Sequence, residues 1–166
     1  CILLQSNGLS YLVDCGGDSD EGSADLAAAT LLAQGIARLD GVIVTHGDRD
    51  HAGGIGNLLD RVETDILLLP GYDEPVVKAE LEDRMAGTVL YVTGDYEIVA
   101  GNVKITIFGP IFPDNSNENS LCVLFSTENC DILITGDRSG VGERSLLRRV
   151  ELPEVDVLIA GHHGSQ

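Results

Sequence analysis

The sequence of 166 residues lacks tryptophan, has one methionine and is only 4% aromatic. It also lacks any apolar run near the roughly 18 residues that a membrane span needs, because runs such as 65–70 and 131–136 stop after the length of one strand. Hydrophobic residues still make up 43% and charged residues 22% of the chain, which excludes a disordered polypeptide. Since single cores usually contain about 100 to 200 residues, we expect one soluble domain over residues 1–166.

Positive charge is scarce. Ten Lys and Arg residues stand against 27 Asp and Glu residues, which gives a formal net charge of -17. A chain of this sign does not bind a polyanion through a basic surface. A nucleic-acid substrate would therefore need metal ions or another domain to bring it to this one.

Paired cysteine motifs are missing as well. Cys1, Cys15, Cys122 and Cys130 follow no Cys-x-x-Cys spacing, and two of them lie in strand-like runs. We therefore expect free, partly buried thiols. The chain opens on Cys1 inside an apolar strand pattern and without a signal peptide, so we interpret it as a piece of a longer chain.

The order of hydrophobic segments predicts an α/β fold with two different sheets. An Asn7-Gly8 turn predicts an N-terminal hairpin, and Ser23 is expected to cap an alanine-rich helix that reaches about Ala37. Strands and helices then alternate to about residue 92, which favours parallel pairing. Residues 97–135 form short strands with tight turns, which predicts a second, largely antiparallel sheet. A helix over 141–150 and a strand over 155–160 close the chain.

Four potential metal ligands follow a short β-branched run at residues 42–45. They are His46, Asp48, Asp50 and His51, which fall within six consecutive positions. The strand before them is expected to be buried on both faces. Imidazole and carboxylate together suit Zn, Mn or Fe. The alternative is a solvated polar turn, but turns rarely combine two His with two Asp.

Two further strands end in the same way. The run before Gly136 leads to Asp137, and the last strand leads to His162 and His163. Ligand sites in α/β sheets lie at the carboxyl ends of strands, so these ends predict one shared site. The alternatives are a turn or helix-capping role for Asp137, and one structural His bonded to a backbone carbonyl in the final pair.

These motifs, taken in order, resemble the metallo-β-lactamase fold superfamily, and most of all the nuclease-like domain at the C-terminal end of ComEC, the family of DNA-uptake channel proteins in bacterial competence. The residues that carry the resemblance are Val13-Asp14-Cys15-Gly16, His46-x-Asp48-x-Asp50-His51, Asn119-Ser120-Leu121, Thr135-Gly136-Asp137 and Gly161-His162-His163-Gly164-Ser165. The resemblance implies an αββα sandwich of two mixed sheets with outer helices. It also implies that a last helix and strand after Ser165 are absent from this segment.

The resemblance further implies a site for two divalent cations. His46 and Asp48 would hold the first ion, Asp50, His51 and His162 the second, and Asp137 would bridge them, with Asp14 bracing the ligand loop. Asp48 stands where most members of the superfamily have His, and Asn119 and Ser120 stand where a further His is usual. Both changes replace nitrogen by oxygen, which favours Mn or Mg over Zn.

The activity implied is phosphodiester hydrolysis of single-stranded DNA during natural transformation. Asp50, His163, Asn119 and Ser120 would be the catalytic side chains, with His163 protonating the leaving oxygen and Asn119 or Ser120 binding the phosphate. The parent would be a membrane channel protein, and this domain would face outside the cytoplasmic membrane.

Two other functions are compatible with the same residues. The first is a metallo-hydrolase of a small ester, thioester, lactam or choline-phosphate substrate, which the charge of -17 favours. The second is a catalytically degenerate module that binds without turnover, because fold often outlives function.

Overall fold

The structure is a computed structural model that describes residues 1–72, 75–112 and 117–164, without the side chains of residues 75–77. The sequence predicts a long loop over residues 110–120, which contain two Pro and three Asn and which we call the polar loop. Residues 113–116 of the polar loop and Ser165 of the last predicted motif lie outside the described residues. The chain divides into two compact units. The first consists of Cys1–Leu69 and Asp73–Tyr91, and the second of Pro70–Tyr72 and Val92–Gln166.

The first unit is built on a five-stranded mixed sheet. Its strands lie in the order of the sequence: β1 (Ile2–Ser6), β2 (Leu9–Val13), β3 (Arg38–Ile43), β4 (Glu63–Pro70) and β5 (Thr88–Val92). The pair β1 and β2 is antiparallel, whereas β2, β3 and β4 run parallel. Asn7 and Gly8 have positive φ angles of 51° and 83°, which confirms the predicted Asn-Gly turn.

Four helices connect these strands, namely α1 (Asp20–Ala33), α2 (Arg49–Ala52), α3 (Ile55–Leu59) and α4 (Pro75–Arg84). The predicted cap at Ser23 is wrong, because the side chain of Ser19 accepts a hydrogen bond from the Gly22 N–H at 3.1 Å. Asp20 and Glu21 then lie in the first turn, where carboxylates interact favourably with the helix dipole. The helix therefore begins four residues earlier than the predicted cap implied.

Helix α1 covers the sheet of the first unit with small side chains. Ala24, Ala27, Ala28 and Leu31 recur at helical spacing and are buried. They pack in one core with strand residues such as Leu12 and Val42. Small side chains let the helix lie close to the sheet, so the loops at the strand ends are held on a rigid base.

The second unit contains the other five-stranded sheet. Its strands are β6 (Tyr96–Ala100), β7 (Val103–Phe108), β8 (Cys122–Ser126), β9 (Asp131–Ile134) and β10 (Val157–Ile159), arranged in the order β10-β9-β8-β7-β6. The pairs from β6 to β9 are antiparallel, and β10 pairs parallel with β9. The predicted change to an antiparallel pattern after residue 92 is confirmed.

Helix α5 (Gly140–Arg149) packs on the sheet of the second unit through Leu146, which contacts a core that includes Cys122 and Leu133. Ser139 caps its N-terminus by accepting from the Val141 N–H at 3.2 Å. Glu118, from a 3₁₀ turn at Asn117–Asn119, accepts from the Gly142 N–H at 2.5 Å. The polar loop before β8 is thereby tied to the start of α5.

The predicted α/β class with two mixed sheets and helices is confirmed. Among the described residues, no helix combines the length with the apolar character needed to cross a bilayer. The carboxyl ends of β3, β9 and β10 carry the residues that the sequence predicts as ligands.

Candidate metal centre

The ligand loop, residues 46–51, follows β3 in the first unit. His46 and His51 are buried, whereas Asp48 and Asp50 are exposed. The loop lies against the segment 15–17, because the Cys15 N–H donates to the His51 carbonyl at 2.8 Å. A β-carbon at Gly16 would overlap the backbone of Asp50 and His51, so only glycine permits this approach. Backbone contacts with the segment 15–17 therefore hold the ligand loop in place.

Asp14 organises the ligand loop, as the resemblance implied. It has a positive φ of 58°, and its Oδ1 accepts from the Thr45 N–H at 2.7 Å. Its Oδ2 accepts from the Thr45 hydroxyl at 2.8 Å and lies 2.8 Å from His51 Nδ1. One buried carboxylate thus holds both the residue before the loop and the last residue of the loop, which confirms the predicted bracing role.

The same network decides which imidazole nitrogens face outward. His51 Nδ1 carries a proton toward Asp14, because the carboxylate can only accept. The Thr45 hydroxyl donates its hydrogen bond to Asp14. Its oxygen therefore accepts a hydrogen bond from His46 Nδ1, which lies 3.1 Å away. In its neutral form, each ring therefore carries its proton on Nδ1 and its lone pair on Nε2. The rings lie with their centroids 4.1 Å apart and their planes tilted by 50°.

Each Nε2 atom faces an aspartate oxygen of the same loop. His46 Nε2 lies 3.6 Å from Asp48 Oδ2, and His51 Nε2 lies 3.8 Å from Asp50 Oδ2. Ions ligated by imidazole and carboxylate are about 2.0 to 2.2 Å from each ligand atom. Both separations are shorter than two such bonds end to end, so each pair of atoms can serve one ion. The donor set of the loop fits divalent metal.

In the second unit, the predicted ligands gather at the ends of two neighbouring parallel strands. Asp137 follows β9 and is buried, and His162 follows β10. The His162 N–H donates to the Gly136 carbonyl at 3.2 Å, and the Thr135 hydroxyl donates to the Ile159 carbonyl at 3.2 Å. The predicted convergence of strand ends is thus confirmed for these two strands.

His162 and His163 occupy a left-handed turn. Their φ angles are 50° and 54°, and both side chains are exposed. Non-glycine residues adopt this conformation at an energetic cost, and successive ones are uncommon outside turns with a special role. Gly161, just before them, lies against the Arg138 carbonyl so closely that a β-carbon would overlap it. The contact at Gly161 fixes the start of the turn, whereas the side chains of His162 and His163 are exposed.

Arg138 was not predicted from the sequence, yet it organises the turns of the second unit that carry the predicted ligands. Its side chain is almost fully buried, and burial lowers the pKa of its guanidinium from the usual value. Nε donates to the Ser120 carbonyl at 2.8 Å, and Nη2 donates to the Gly109 carbonyl at 3.0 Å. Arg138 therefore joins the turn after β9 to the ends of the polar loop.

Asn119 and Ser120, predicted to bind phosphate, are buried and take part in this scaffold. The Asn119 Oδ1 accepts from the backbone N–H groups of Ile111 and Phe112 at 3.1 and 2.7 Å. The Ser120 hydroxyl donates to the Asn117 carbonyl at 2.7 Å and accepts from the Asp137 N–H at 3.2 Å. Ser120 thus positions the backbone of Asp137, and a role toward phosphate stays a prediction for both residues.

The four cysteines are free, as predicted, with Cys1 exposed and Cys15 and Cys122 buried. Burial raises the pKa of the Cys15 thiol to about 11, and burial likewise raises the pKa of Cys122 to about 11. Both side chains lie in hydrophobic cores, Cys15 in the first unit and Cys122 in the second. Cys15, although it neighbours Asp14, is therefore a packing residue.

Two positioning residues, Thr45 and Arg138, were not predicted from the sequence. Thr45 was assigned only to a strand, although a hydroxyl directly before His46 is a signal that could have been used. Arg138 gave no signal, because a single arginine beside an aspartate in a turn is typical of a solvated surface pair. Its burial depends on Gly109 and Ser120, which are distant in the sequence.

Comparison with known proteins places these motifs in context. The family model of the metallo-beta-lactamase superfamily matches residues 1–166. ComE operon protein 3 of Bacillus subtilis is 31% identical over 150 residues, which are 82% of this chain and 18% of that protein. Recombination protein 2 of Haemophilus influenzae is 28% identical over 171 residues, covering 99% of this chain and 20% of that protein. The chain thus spans about one fifth of the length of these curated relatives.

Solved structures give the same fold. The Rm3 metallo-beta-lactamase superposes with a TM-score of 0.66 at 18% sequence identity, covering 96% of this chain and 70% of that one. At this level of identity the similarity concerns the fold alone.

Proposed function

We propose, from the premise that this chain belongs to the metallo-beta-lactamase superfamily, that it is a dinuclear metal-dependent phosphodiesterase that cleaves single-stranded DNA. The observation that carries the proposal is the ligand loop, in which each buried imidazole Nε2 faces an aspartate oxygen at 3.6 or 3.8 Å. The superfamily consists of metal-dependent hydrolases, so the metal-dependent part of the proposal follows from family membership. The bond and the substrate are what we propose beyond it.

The chemistry of the ligands supports a phosphodiester substrate. Asp48, Asp50 and Asp137 supply oxygen, and only His46, His51 and one residue of the final pair supply nitrogen. Hard oxygen ligands favour Mn²⁺ or Mg²⁺ over Zn²⁺. Such ions interact strongly with phosphate oxygens, whereas Zn²⁺ with nitrogen ligands is frequent in hydrolases that act on carbonyl carbon.

The relatives support a substrate related to DNA. One takes its name from a competence operon and the other from recombination, a process that acts on DNA. A net charge of -17 opposes this substrate at long range. Two divalent ions would offset much of the charge of the ligand loop and Asp137, so the field at the centre itself can attract phosphate.

We assign the side chains as the resemblance implies. His46 and Asp48 would hold one ion, and Asp50, His51 and His162 the other, with Asp137 between them. His163 would protonate the leaving oxygen, and Asn119 or Ser120 would contact the phosphate. The proposal thus requires ligands from both units to serve the same pair of ions.

Metal ions held by these residues would supply Lewis-acid activation of the phosphodiester and of the attacking water. The protein's own contribution is to hold the ligands ready. Asp14 keeps the proton on His51 Nδ1, so Nε2 needs no deprotonation before it binds an ion. The Ser120 hydroxyl holds the backbone of Asp137 through an N–H bond of 3.2 Å. Both arrangements lower the cost of reorganisation in the reaction.

The test is the loss of activity on removal of one carboxylate from each unit. Asp50→Ala and Asp137→Ala are expected to reduce Mn²⁺-stimulated cleavage of a single-stranded oligonucleotide by at least about 10³-fold, because each removes a ligand. Asp83→Ala removes the same charge from an exposed position of helix α4 and should retain full activity. Retained cleavage in both ligand variants would reject the proposal.

A substrate panel with Mn²⁺ and Zn²⁺ tests the bond. We expect turnover of bis-p-nitrophenyl phosphate and of single-stranded DNA, and little turnover of thioester, lactam or choline-phosphate ester substrates. Strong hydrolysis of a neutral acyl substrate without diesterase activity would favour the small-substrate alternative. Calorimetric titration that detects no binding of Mn²⁺ or Zn²⁺ at millimolar concentration would favour a degenerate binding module.

We further propose that the parent is a channel protein of DNA uptake. Its other segments would be partners of this domain, which would face outside the cytoplasmic membrane and would act on single-stranded DNA during natural transformation. The lengths of the two relatives, of which this chain covers 18% and 20%, support a larger parent.

A further inference from the structure

The first unit contains a cavity of about 310 Å³ directly beside the ligand loop. Gly47 and Arg49, which flank Asp48, line one side of it. Asn57 of helix α3 and Leu81 and Arg84 of helix α4 line the other side. We call this space the α3–α4 cavity. Any group bound in it would lie next to the residues that we assign to the first metal ion.

The α3–α4 cavity contains two of the ten cationic side chains of the chain. The Arg49 Nε donates to Asp20 Oδ1 at 2.9 Å. Arg84 donates from Nη1 to Asp60 Oδ2 at 2.6 Å and from Nη2 to Glu80 Oε1 at 3.3 Å. These are partly exposed ion pairs, which water and salt weaken. They orient the two guanidinium groups, and an incoming phosphate can exchange with the carboxylates.

We propose that the α3–α4 cavity binds one nucleotide unit of the single-stranded substrate, with Arg49 and Arg84 on its phosphate and the sugar or base against Leu81. The inference rests on the proposed function and adds a subsite for the nucleotide adjacent to the cleaved phosphate. Asp20 and Glu80 also line the cavity, so its formal charge is zero, and a phosphate would replace these carboxylates as the partner of the arginines.

Three properties of the cavity favour a nucleotide over a larger or purely apolar ligand. Its volume is at the lower end of the roughly 300 to 1,000 Å³ typical of small-molecule sites, so it holds one unit of a strand. Guanidinium groups match phosphate oxygens with two parallel N–H donors. Ala52 and Leu81, although they are largely buried, are the apolar residues of the lining, and the sugar or base would lie against them.

The first experiment replaces each cavity arginine and a matched control. In Arg49→Gln and in Arg84→Gln, the Kd of Mn²⁺-loaded protein for a single-stranded DNA pentanucleotide with non-hydrolysable linkages should rise about fivefold to tenfold. The slope of log Kd against log salt should fall in magnitude by about 0.7, the value for one lost phosphate contact in a single strand. Arg84→Lys keeps the charge without the planar fork and should restore the slope but only part of the affinity.

The controls remove a similar ion pair elsewhere in the first unit. Arg61 pairs with Asp25 and has a side chain 38% exposed, close to the 33% of Arg84. Arg38 pairs with Asp65 at 2.5 Å and is 58% exposed, close to the 67% of Arg49. Neither control residue lines the α3–α4 cavity. Arg61→Gln and Arg38→Gln should therefore leave affinity and salt slope as in the wild type, and equal losses in cavity and control variants would overturn the proposal.

A second experiment separates this inference from the proposed activity. A 5′-phosphorylated thymidine dinucleotide is titrated into the protein in EDTA, and amide NMR shifts are followed. Shifts at Gly47, Gly53 and Gly56 that disappear in Arg84→Gln support the subsite even if no diester is cleaved. Shifts confined to other regions would reject the subsite even if the protein proves to be a nuclease.

Discussion

In the first unit, four predicted ligands lie within six consecutive residues and a single carboxylate, Asp14, holds the loop that carries them. In the second unit, the predicted ligands come from two strand ends, and a buried guanidinium, Arg138, joins the turn after β9 to the polar loop. The histidines of the first unit are buried, whereas His162 and His163 are exposed on a left-handed turn.

The difference shows two ways to prepare a metal ligand. Hydrogen bonding to Asp14 sets the tautomer of both histidines in the ligand loop before any ion binds. In the second unit, the structure fixes the backbone of Asp137 and Gly161 but leaves the following imidazoles exposed to solvent. We therefore expect substitutions around the ligand loop of the first unit to change metal affinity more than substitutions that alter the backbone scaffold of the second unit.

The largest expected effect comes from adding a β-carbon at Gly16, where the segment 15–17 contacts the ligand loop. In Gly16→Ala, the new β-carbon overlaps the backbone of Asp50 and His51, so the two segments must separate. We expect a loss of more than about 3 kcal/mol in the free energy of unfolding, with loss of metal binding.

Chemical denaturation followed by circular dichroism measures the effect of Gly16→Ala. The matched control is Gly94→Ala in the second unit, where a β-carbon meets nothing within 4 Å among the described residues. Similar stability of the two variants would show that the backbone contact behind the loop is dispensable.

The next effect tests the scaffold of the second unit. Arg138→Met leaves the Ser120 and Gly109 carbonyls without this donor in a buried environment, and we expect a loss of about 2 to 3 kcal/mol in the free energy of unfolding. Arg149 also reaches the Gly109 carbonyl, at 3.4 Å, but it is partly exposed and pairs with Asp95.

Arg149→Met should therefore cost less than about 1 kcal/mol, and this contrast between the two arginines is read from urea denaturation. Metal affinity of the ligand loop should change little in Arg138→Met. Equal stability of Arg138→Met and Arg149→Met would show that the Arg138 guanidinium does not hold the turns of the second unit together.

The smallest effect on stability, but the one most specific for metal, comes from Asp14→Asn. Asn tolerates the positive φ of this position, and its carbonyl can still accept from the Thr45 N–H. Its NH₂ group would face His51 Nδ1 and donate to it. The His51 ring would then carry its proton on Nε2, and this proton must leave before Nε2 can bind an ion. We expect Mn²⁺ affinity to fall about 10-fold to 100-fold, measured by calorimetry.

Asp40→Asn is the control for this change. Asp40 Oδ2 accepts from the Ser10 N–H at 2.7 Å, a bond that an asparagine carbonyl can also make, and it lies outside the ligand loop. Its Mn²⁺ affinity should equal that of the wild type. An unaltered affinity in Asp14→Asn would mean that the tautomer of His51 is not set by this hydrogen bond.

Much of the fold follows from local patterns. The Asn7-Gly8 turn and the antiparallel pairing of β6 to β9 agree with the prediction, because β-branched runs between turn residues are strong signals. The start of α1 was missed by four residues, since Ser19 and Ser23 are both acceptable caps and only the packing of the helix selects between them. A loop to Gly54 and then a helix to about Val62 are predicted after β3. Helix α3 is that helix and ends at Leu59, whereas α2 forms inside the predicted loop.

The amino-acid sequence by itself determined the family, the two kinds of sheet and the ligand loop, because all of these depend on residues that are close together in the chain. Tertiary structure alone decided that Asp14, Thr45 and His51 share one network, that Arg138 is buried, and that Arg49 and Arg84 line one cavity. These are contacts between residues far apart in sequence, and no local propensity encodes them. A hydrogen bond or a cavity exists only once the strands and helices that carry its residues have packed.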